Sequence, residues 1–284
     1  APHRHPCCAA CRIFITLDCL YVHVAANESS FIGGIPAVSS CIFCCETPGP
    51  SRKLMSNDRP AFELSSGNEA YDAAYQLAKT EISQNIKNGV FIAGAGWDQL
   101  WTRDTSYAVE LGAGLLNPEM SMASLRKSVE NDKKLGQVWL QDECGHFGKW
   151  PFLSDAIVGV RGAWSVYLTS GDRKWLEWVY EVTMRSLKRA ERDVYDSSSG
   201  LFLGCSSFME SNSGYPEKYR MNGPLVGKTK ALSTNLLHYA GYMLGAQMAQ
   251  ELGKPPMEIE ELAKKGSTLR ESMRSRLWSS ELGY

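Results

Sequence analysis

The 284-residue sequence lacks an apolar stretch long enough to cross a membrane as a helix, and it lacks an excess of charge of either sign. Lysine and arginine total 30 and aspartate and glutamate total 31, so the formal net charge is -1. A general nucleic-acid-binding protein would carry a basic excess, so this balance argues against nucleic acid as a partner. Alternation of apolar and polar residues is nowhere long enough to predict a large sheet.

Cysteine is scarce over most of the chain and concentrated at its start. Only Cys144 and Cys205 follow residue 45, whereas seven cysteines precede it: Cys7, Cys8, Cys11, Cys19, Cys41, Cys44 and Cys45. Four of these form two CxxC pairs, Cys8 to Cys11 and Cys41 to Cys44, a spacing that can hold zinc. The gap between the pairs is longer than in a zinc ribbon, and a disulfide cluster is the alternative. We predict no metal site and no cofactor.

The same N-terminal segment has features of a secreted chain. Arg12 precedes the apolar run IFITLDCLYVHVAA, which loosely resembles a secretion signal, although Asp18 interrupts it. Asn27 begins a glycosylation sequon that has meaning only if the chain is secreted. Residues 46–60 are rich in Pro, Ser and charge and are typical of a linker. We therefore predict a poorly ordered Cys-rich tail and linker over 1–60, with secretion one alternative and the oligomeric state open.

From about residue 66 onward, apolar residues recur at helical spacing, and seven helices are predicted. The first helix has Ser66 as N-cap and carries Tyr71, Tyr75, Ala78, Ile82 and Ile86. The second spans Asp104 to Leu116, the third runs from Pro118 to about Val129, and the fourth starts near Ser154 or Asp155 and stops at Gly171. The fifth runs from Asp172 to about Tyr195, the sixth holds Leu232, Leu236, Tyr239, Met243 and Ala246, and the seventh runs from about Met257 to Leu277.

The predicted helices alternate in character along the chain. The second, fourth and sixth are apolar and rich in small residues, while the third, fifth and seventh are charged and amphipathic. Helices that are apolar all round are buried, and helices with one apolar stripe lie outside them. The pattern predicts an all-α fold of the (α/α)6-toroid type, incomplete at about seven helices, over residues 65–284. In such a ring, the loops that lead into inner helices open on one face and can build a concave site.

Three segments at those loops resemble a known family. The segment GWDQLWTRDTSY (96–107) resembles the WTRD segment of glucoamylase-like and trehalase-like enzymes, the six-hairpin glycoside hydrolases with an (α/α)6 toroid. The segment KWPFLSDAIVGVRGAWSVYLTSGD (149–172) resembles the next inner-helix approach in that family. SGLFLGCSSFMESNSGYP (199–216) resembles the loop that carries its general acid. The resemblance covers about residues 65–284 and implies an exo-acting, inverting hydrolase, with α-linked glucose at a chain end as the substrate.

The resemblance also implies roles for individual residues. Arg103 and Asp104 would bind hydroxyls of the terminal sugar, and Trp97 and Trp101 would stack on its ring. Trp150 and Asp155 stand at the second of these loops and are also expected to contact the substrate. For Asp104 and Asp155 the alternative role is a helix cap.

Inversion requires two carboxyl groups, one as acid and one as base. Glu210 is the candidate general acid, although related chains often carry Asp there and an exposed loop carboxylate is the alternative. Asp142 and Glu143 compete for that role, His146 could bind sugar, and Lys228 and Lys230 either line the cleft or are solvated.

No residue of the sequence matches the family's general base, which comes late in the chain. We therefore expect the first half of a catalytic domain, with little hydrolytic activity as it stands. The alternative functions are a non-catalytic carbohydrate-binding relative and an inactive fragment.

Overall fold

Helices make up most of the residues that a computed structural model describes, which are 62–141, 150–205, 215–220 and 222–283. The predicted tail and linker over 1–60 lie outside the described residues. The helices are α1 Glu69–Gln84, α2 Thr102–Ala108, α3 Gly114–Leu116, α4 Pro118–Lys127, α5 Gly159–Ser170, α6 Arg173–Asp193, α7 Gly223–Val226, α8 Leu232–Glu251 and α9 Pro256–Arg276. The all-α prediction is confirmed, because the strands between these helices are short.

Three antiparallel pairs of strands connect the helices. They are β1 Ile86–Lys87 with β2 Val90–Phe91, β3 Val129–Asp132 with β4 Gly136–Trp139, and β5 Tyr195–Asp196 with β6 Leu201–Phe202. A π-helical turn, Val109–Ala113, joins α2 to α3, and a 3-10 turn, Ala156–Val158, precedes α5. Two to four residues per strand are too few for a periodic signal, so the sequence did not reveal them.

The helices form an inner row and an outer row, as the alternation in the sequence predicts. In the inner row α2 packs against α5 and α5 against α8, while α4, α6 and α9 lie outside them. Small residues allow the inner helices to approach closely: a Cβ at Gly162 would lie 2.7 Å from the Ser106 carbonyl oxygen. The Ser106 hydroxyl also donates to Val158 O at 2.6 Å and accepts from Gly162 N at 3.0 Å, which fixes α2 against the start of α5.

The outer helix α6 illustrates why the pattern separates the two rows. It begins at its N-cap Asp172, whose carboxylate accepts from the backbone of Lys174 and Trp175. One side of α6 is buried and carries Trp175, Val179 and Val182, whereas charged residues such as Glu177 and Glu181 are exposed. Gly171, in the left-handed conformation at φ 64, ends α5 as predicted and turns the chain into α6.

Several predicted helix ends are wrong by a few residues. The N-cap of α1 is Asn68 and not Ser66, because Asn68 accepts from Ala70 N while the Ser66 hydroxyl bonds Asp72. Val129 and Tyr195 do not end helices, since each begins a strand. Within the described residues, α1 buries none of its side chains.

Apolar side chains also remain at the surface of the inner row. Leu111, Leu168, Leu232 and Leu236 are all exposed. No helix in the described ranges is long and apolar enough to cross a membrane.

Candidate functional site

A buried polar network joins the start of α2 to the approach to α5. Arg103 Nη1 lies 3.2 Å from Asp155 Oδ2, and Gln141 Nε2 donates to Asp155 Oδ1 at 2.6 Å. Gln141 Oε1 in turn accepts from Ala156 N at 3.0 Å. The Asp155 side chain is only 1% exposed, so its charge depends on these partners. The network fixes the direction of the Arg103 guanidinium.

The side chain of Asp155 does not cap a helix, which was the alternative role for this residue. Asp155 does occupy the N-cap position of the 3-10 turn that precedes α5, but its side chain makes no capping bond. The carboxylate oxygens are bonded to Arg103 and Gln141 instead. Asp155 is therefore the residue that orients Arg103.

The approaches to the inner helices α5 and α8 are bonded to each other. Leu153 pairs with Cys205 as a parallel bridge, and Gly204 pairs with Lys230 in the same way. The Ser154 hydroxyl donates to Leu203 O at 2.6 Å, and Gly204 N donates to Thr229 O at 2.8 Å. These bonds hold together three segments: the one that precedes α5, the one that follows β6 and the one that precedes α8.

Gly204 is the residue that makes this junction possible. Its φ is +105, a conformation that L side chains rarely adopt, and a Cβ there would lie 2.4 Å from Ser154 Oγ. A side chain at this position would displace the Ser154 hydroxyl, which donates to Leu203 O.

Aromatic side chains line the same region. The ring centroids of Trp97 and Trp101 lie 5.6 Å apart at an interplanar angle of 52°. Trp101 is 6% exposed and belongs to a small buried cluster, whereas Trp97 is 49% exposed. That cluster contains Trp101, Leu153, Cys205 and Val226, with Ala93, Tyr215 and Tyr219 packed against it. Trp97 thus presents an open aromatic surface that Trp101 supports.

Asp104 lies beside Arg103 but is not the N-cap of α2. Trp101 occupies that position, and Asp104 is the third residue of the helix. Its Oδ2 is buried and accepts no hydrogen bond from any described residue, although Arg103 Nη2 lies 3.8 Å away. Burial raises the pKa of the Asp104 carboxyl, and the charge of Arg103 partly opposes that rise. Asp104 therefore carries an unsatisfied acceptor next to a fixed donor.

In the described part of the chain, Trp150 contacts residues of α6 and not the other predicted site residues. Its Nε1 donates to Asp193 Oδ2 at 3.0 Å, and the Arg189 guanidinium lies 4.0 Å from its ring centroid. Arg189 is itself buried and bonds Glu130 and the Trp139 carbonyl oxygen. These contacts fasten Trp150 to α6 and occupy one face of its indole.

A second ion pair lies further along the same two inner helices. Arg161 on α5 donates to Glu110 Oε1 through Nη2 at 2.7 Å and Nε at 3.2 Å, and its guanidinium lies 5.7 Å from the Tyr107 ring centroid. Burial is the main cause that raises the pKa of Tyr107. Tyr107 and Glu110 follow Arg103 at helical spacing, a signal that could have revealed them from sequence. Gln141 gave no such signal, because it stands alone after β4.

Four of the remaining predicted residues lie outside the described ranges, whereas Lys228 and Lys230 lie within them. The four are Glu210, Asp142, Glu143 and His146. Lys230 is described: its Nζ lies 2.7 Å from Asp196 Oδ2. Within the described ranges, no cluster of three His, Cys, Asp or Glu side chains is arranged to hold a metal ion, and both CxxC pairs fall outside them.

Comparison with solved structures finds a partial likeness to the crystal structure of Streptomyces avermitilis alpha-L-rhamnosidase complexed with L-rhamnose. The TM-score is 0.49 and the sequence identity 15%, with 72% of this chain and 19% of that chain covered. No protein family matches the sequence of this chain, and no curated protein matches it either. The chain spans about a fifth of the length of the rhamnosidase.

Proposed function

We propose that this chain belongs to a glycoside hydrolase and that the start of α2 binds the terminal sugar. The observation that carries the proposal is the Arg103–Asp155–Gln141 network at the start of α2, together with the exposed ring of Trp97, which contacts Trp101, the N-cap residue of that helix. A fixed guanidinium supplies directed donors, and an aromatic surface suits the apolar face of a sugar ring. The resemblance of residues 96–107 to the WTRD segment of six-hairpin glycosidases points to the same chemistry.

The polar groups here complement the hydroxyls of a sugar. Arg103 donates, and the Asp104 carboxylate, whose side chain is 39% exposed, accepts, so adjacent hydroxyls that both donate and accept would bridge them. The substrate that we propose is an α-linked glucose unit at the end of an oligosaccharide or polysaccharide.

For the reaction, we propose Glu210 as general acid. Its proton would pass to the glycosidic oxygen as the bond between that oxygen and the anomeric carbon breaks, while a deprotonated water attacks the opposite face. The base for that water is a second carboxylate. Asp155 is poorly suited to the role, because both its oxygens are bonded and its side chain is buried.

The fold supports this assignment through the position of the loops. Residues 150–155 and 203–205 and the segment before α8 are bonded together near Trp101, and the loop that carries Glu210 continues from Cys205. We propose that residues 65–284 are part of an (α/α)6 toroid, in which this face holds the substrate. Residues 1–60 would then be a separate tail.

The test compares hydrolysis of a panel of nitrophenyl glycosides by this chain and by a chain extended by roughly 200 residues at its C-terminus. The α-glucoside is the expected substrate, and we expect the extended chain to hydrolyse it faster than this chain does. Glu210→Gln should lower the rate by about 10²- to 10⁴-fold, because general acid assistance typically contributes that much. Glu260→Gln is the matched control, since Glu260 is exposed on α9. If neither wild-type chain hydrolyses any of the glycosides and sugar is still bound, the protein is a non-catalytic carbohydrate-binding relative.

A further inference from the structure

Asparagine is followed directly by glycine at two places in the sequence, Asn88–Gly89 and Asn222–Gly223. At such a pair the main-chain nitrogen of the glycine can attack the side-chain amide carbon of the asparagine, because glycine has no Cβ to obstruct the approach. The attack requires that the asparagine amide can rotate towards that nitrogen and that the local main chain can move. The surroundings of the two pairs differ in both respects.

The Asn88–Gly89 pair lies in an open loop. It connects the strands of the hairpin β1–β2, where both residues are exposed and have φ values of +51 and +76, as in a type I′ turn. Within the part of the chain that the structure describes, neither the Asn88 amide nor the Gly89 N–H forms a hydrogen bond. A Cβ at Gly89 would meet nothing within 4 Å. Since each strand of the hairpin has only two residues, the loop can open locally.

The Asn222–Gly223 pair is held by hydrogen bonds and packing. Asn222 is the N-cap of α7, and its Oδ1 accepts from Leu225 N at 3.2 Å. Its Nδ2 donates to Lys218 O at 3.4 Å. A Cβ at Gly223 would lie 2.9 Å from the Phe152 ring, so the main chain there has little room to move. Rotation of this amide towards the glycine nitrogen would break both hydrogen bonds.

We propose that Asn88 is a site of spontaneous deamidation and that the fold protects Asn222 from the same reaction. Hydroxide removes the proton of the Gly89 nitrogen, which then forms a bond with Cγ of Asn88. The bond between Cγ and Nδ2 breaks, and the nitrogen takes a proton from water and leaves as ammonia. Water then opens the cyclic imide that remains. Addition of water at Cγ gives aspartate, whereas addition at the main-chain carbonyl carbon gives isoaspartate.

The isoaspartate product should disrupt the hairpin. Its main chain continues through the side-chain carbons, which lengthens the loop by a methylene group. The pairing of Lys87 with Val90 depends on a two-residue loop of fixed geometry. Ile92 N donates to Asn85 O at 2.9 Å at the base of the hairpin, so exchange of this amide hydrogen reports whether the strands remain paired.

The experiment incubates the full chain at neutral and at mildly alkaline pH and follows the tryptic peptides that contain Asn88 and Asn222 by mass spectrometry. Deamidation raises the mass of a peptide by about one dalton. We expect Asn88 to react about tenfold faster than Asn222, a ratio that corresponds to the free energy of one typical hydrogen bond. Both rates should rise with pH, because hydroxide starts the reaction. In urea, where the fold holds neither pair, the two rates should be similar.

Two variants locate the product. Methylation by an enzyme that recognises isoaspartyl carboxylates should label the aged wild-type chain, and faster exchange of the Ile92 amide should accompany the label. Asn88→Gln should remove most of the label, because glutamine would have to form a larger ring. Asn222→Gln is the matched control and should leave the label unchanged.

The comparison with the unfolded chain decides whether the fold is responsible. Equal rates at Asn88 and Asn222 in the folded chain, or protection of Asn88 as strong as that of Asn222, would overturn the proposal. A faster reaction at Asn88 that persists unchanged in urea would also overturn it, since the neighbouring sequence would then set the preference. None of these outcomes depends on whether the chain binds or hydrolyses a sugar.

Discussion

Arg103 and Asp155 are 52 residues apart in the sequence, and their side chains meet with 3.2 Å between Nη1 and Oδ2. The pair joins the first residues of α2 to the approach to α5, and Gln141 Nε2 donates to the other oxygen of the carboxylate. It thereby positions the guanidinium that we assign to sugar binding.

Removal of the buried carboxylate should be costly. Asp155→Ala is expected to lower the free energy of unfolding by about 3 kcal/mol, because it removes a buried carboxylate that bonds both Arg103 and Gln141. Asp98→Ala is the matched control: Asp98 pairs with Lys87 at the surface, where such pairs contribute about 0–1 kcal/mol. Chemical denaturation measures both, and equal losses would contradict the structural role of Asp155.

The junction between the loops should not tolerate a Cβ at Gly204. Gly204→Ala combines an unfavourable φ of +105 with a contact of 2.4 Å to Ser154 Oγ. Gly89→Ala has a φ of +76 and nothing within 4 Å, so it measures the conformational cost alone. We expect about 1 kcal/mol for Gly89→Ala and about 2 kcal/mol more for Gly204→Ala. Similar losses in the two variants would show that the loops are not closely packed there.

A buried histidine should make stability depend on pH. His238 is 1% exposed, its ring stacks on Phe202 with centroids 4.0 Å apart, and its Nδ1 lies 2.9 Å from Thr234 O. Burial lowers its pKa to about 4. Between pH 6.5 and 4 the unfolded chain binds a proton that the folded chain does not, so stability falls as the pH is lowered.

The expected loss over that window is about 3 kcal/mol, from a depression of the pKa by roughly 2.5 units. His238→Leu should abolish this part of the pH dependence, as measured by denaturation at pH 7, 5.5 and 4. Carboxyl groups with lowered pKa values change the free energy of unfolding at lower pH, and the variant keeps that part of the pH dependence. An unchanged slope between pH 6.5 and 4 in His238→Leu would contradict the assignment.

The sequence predicts the rows of helices better than it predicts the site. Apolar inner helices and amphipathic outer helices are recognisable because burial imposes a 3.6-residue period, and Gly171 and Asp172 mark a boundary by local chemistry. The Arg103–Asp155 contact depends on packing between segments 52 residues apart, which one sequence does not encode in any local pattern. The position of the Trp150 ring likewise could not be predicted from the sequence, since it depends on a hydrogen bond to Asp193 at the end of α6.

The charged carboxylate of Asp104 should lower the free energy of unfolding slightly at neutral pH. Burial raises the pKa of its carboxyl, so the charged form is less stable in the folded chain than in the unfolded chain. Asp104→Asn is therefore expected to stabilise the fold at pH 7 by roughly a few tenths of a kcal/mol, a small gain because 39% of the side chain is exposed and solvent screens it. The gain should vanish at low pH, where the wild-type carboxyl is protonated.

Thermal denaturation of wild type and Asp104→Asn at pH 7 and pH 3 measures this difference, and sugar affinity should fall in the same variant. Destabilisation at pH 7 would show that Asp104 supports the fold through contacts of its own.

The most direct test of the central claim, that the start of α2 holds a sugar, is the maltose affinity of Trp97→Ala compared with Trp278→Ala in the chain with Glu210→Gln. Both tryptophans are about half exposed, but Trp97 contacts Trp101, the N-cap residue of α2, whereas Trp278 follows the end of α9. We predict at least a tenfold loss of affinity for Trp97→Ala, equivalent to about 1.4 kcal/mol, and no change for Trp278→Ala. Equal affinities in the two variants, or no binding of maltose before either substitution, would contradict the account.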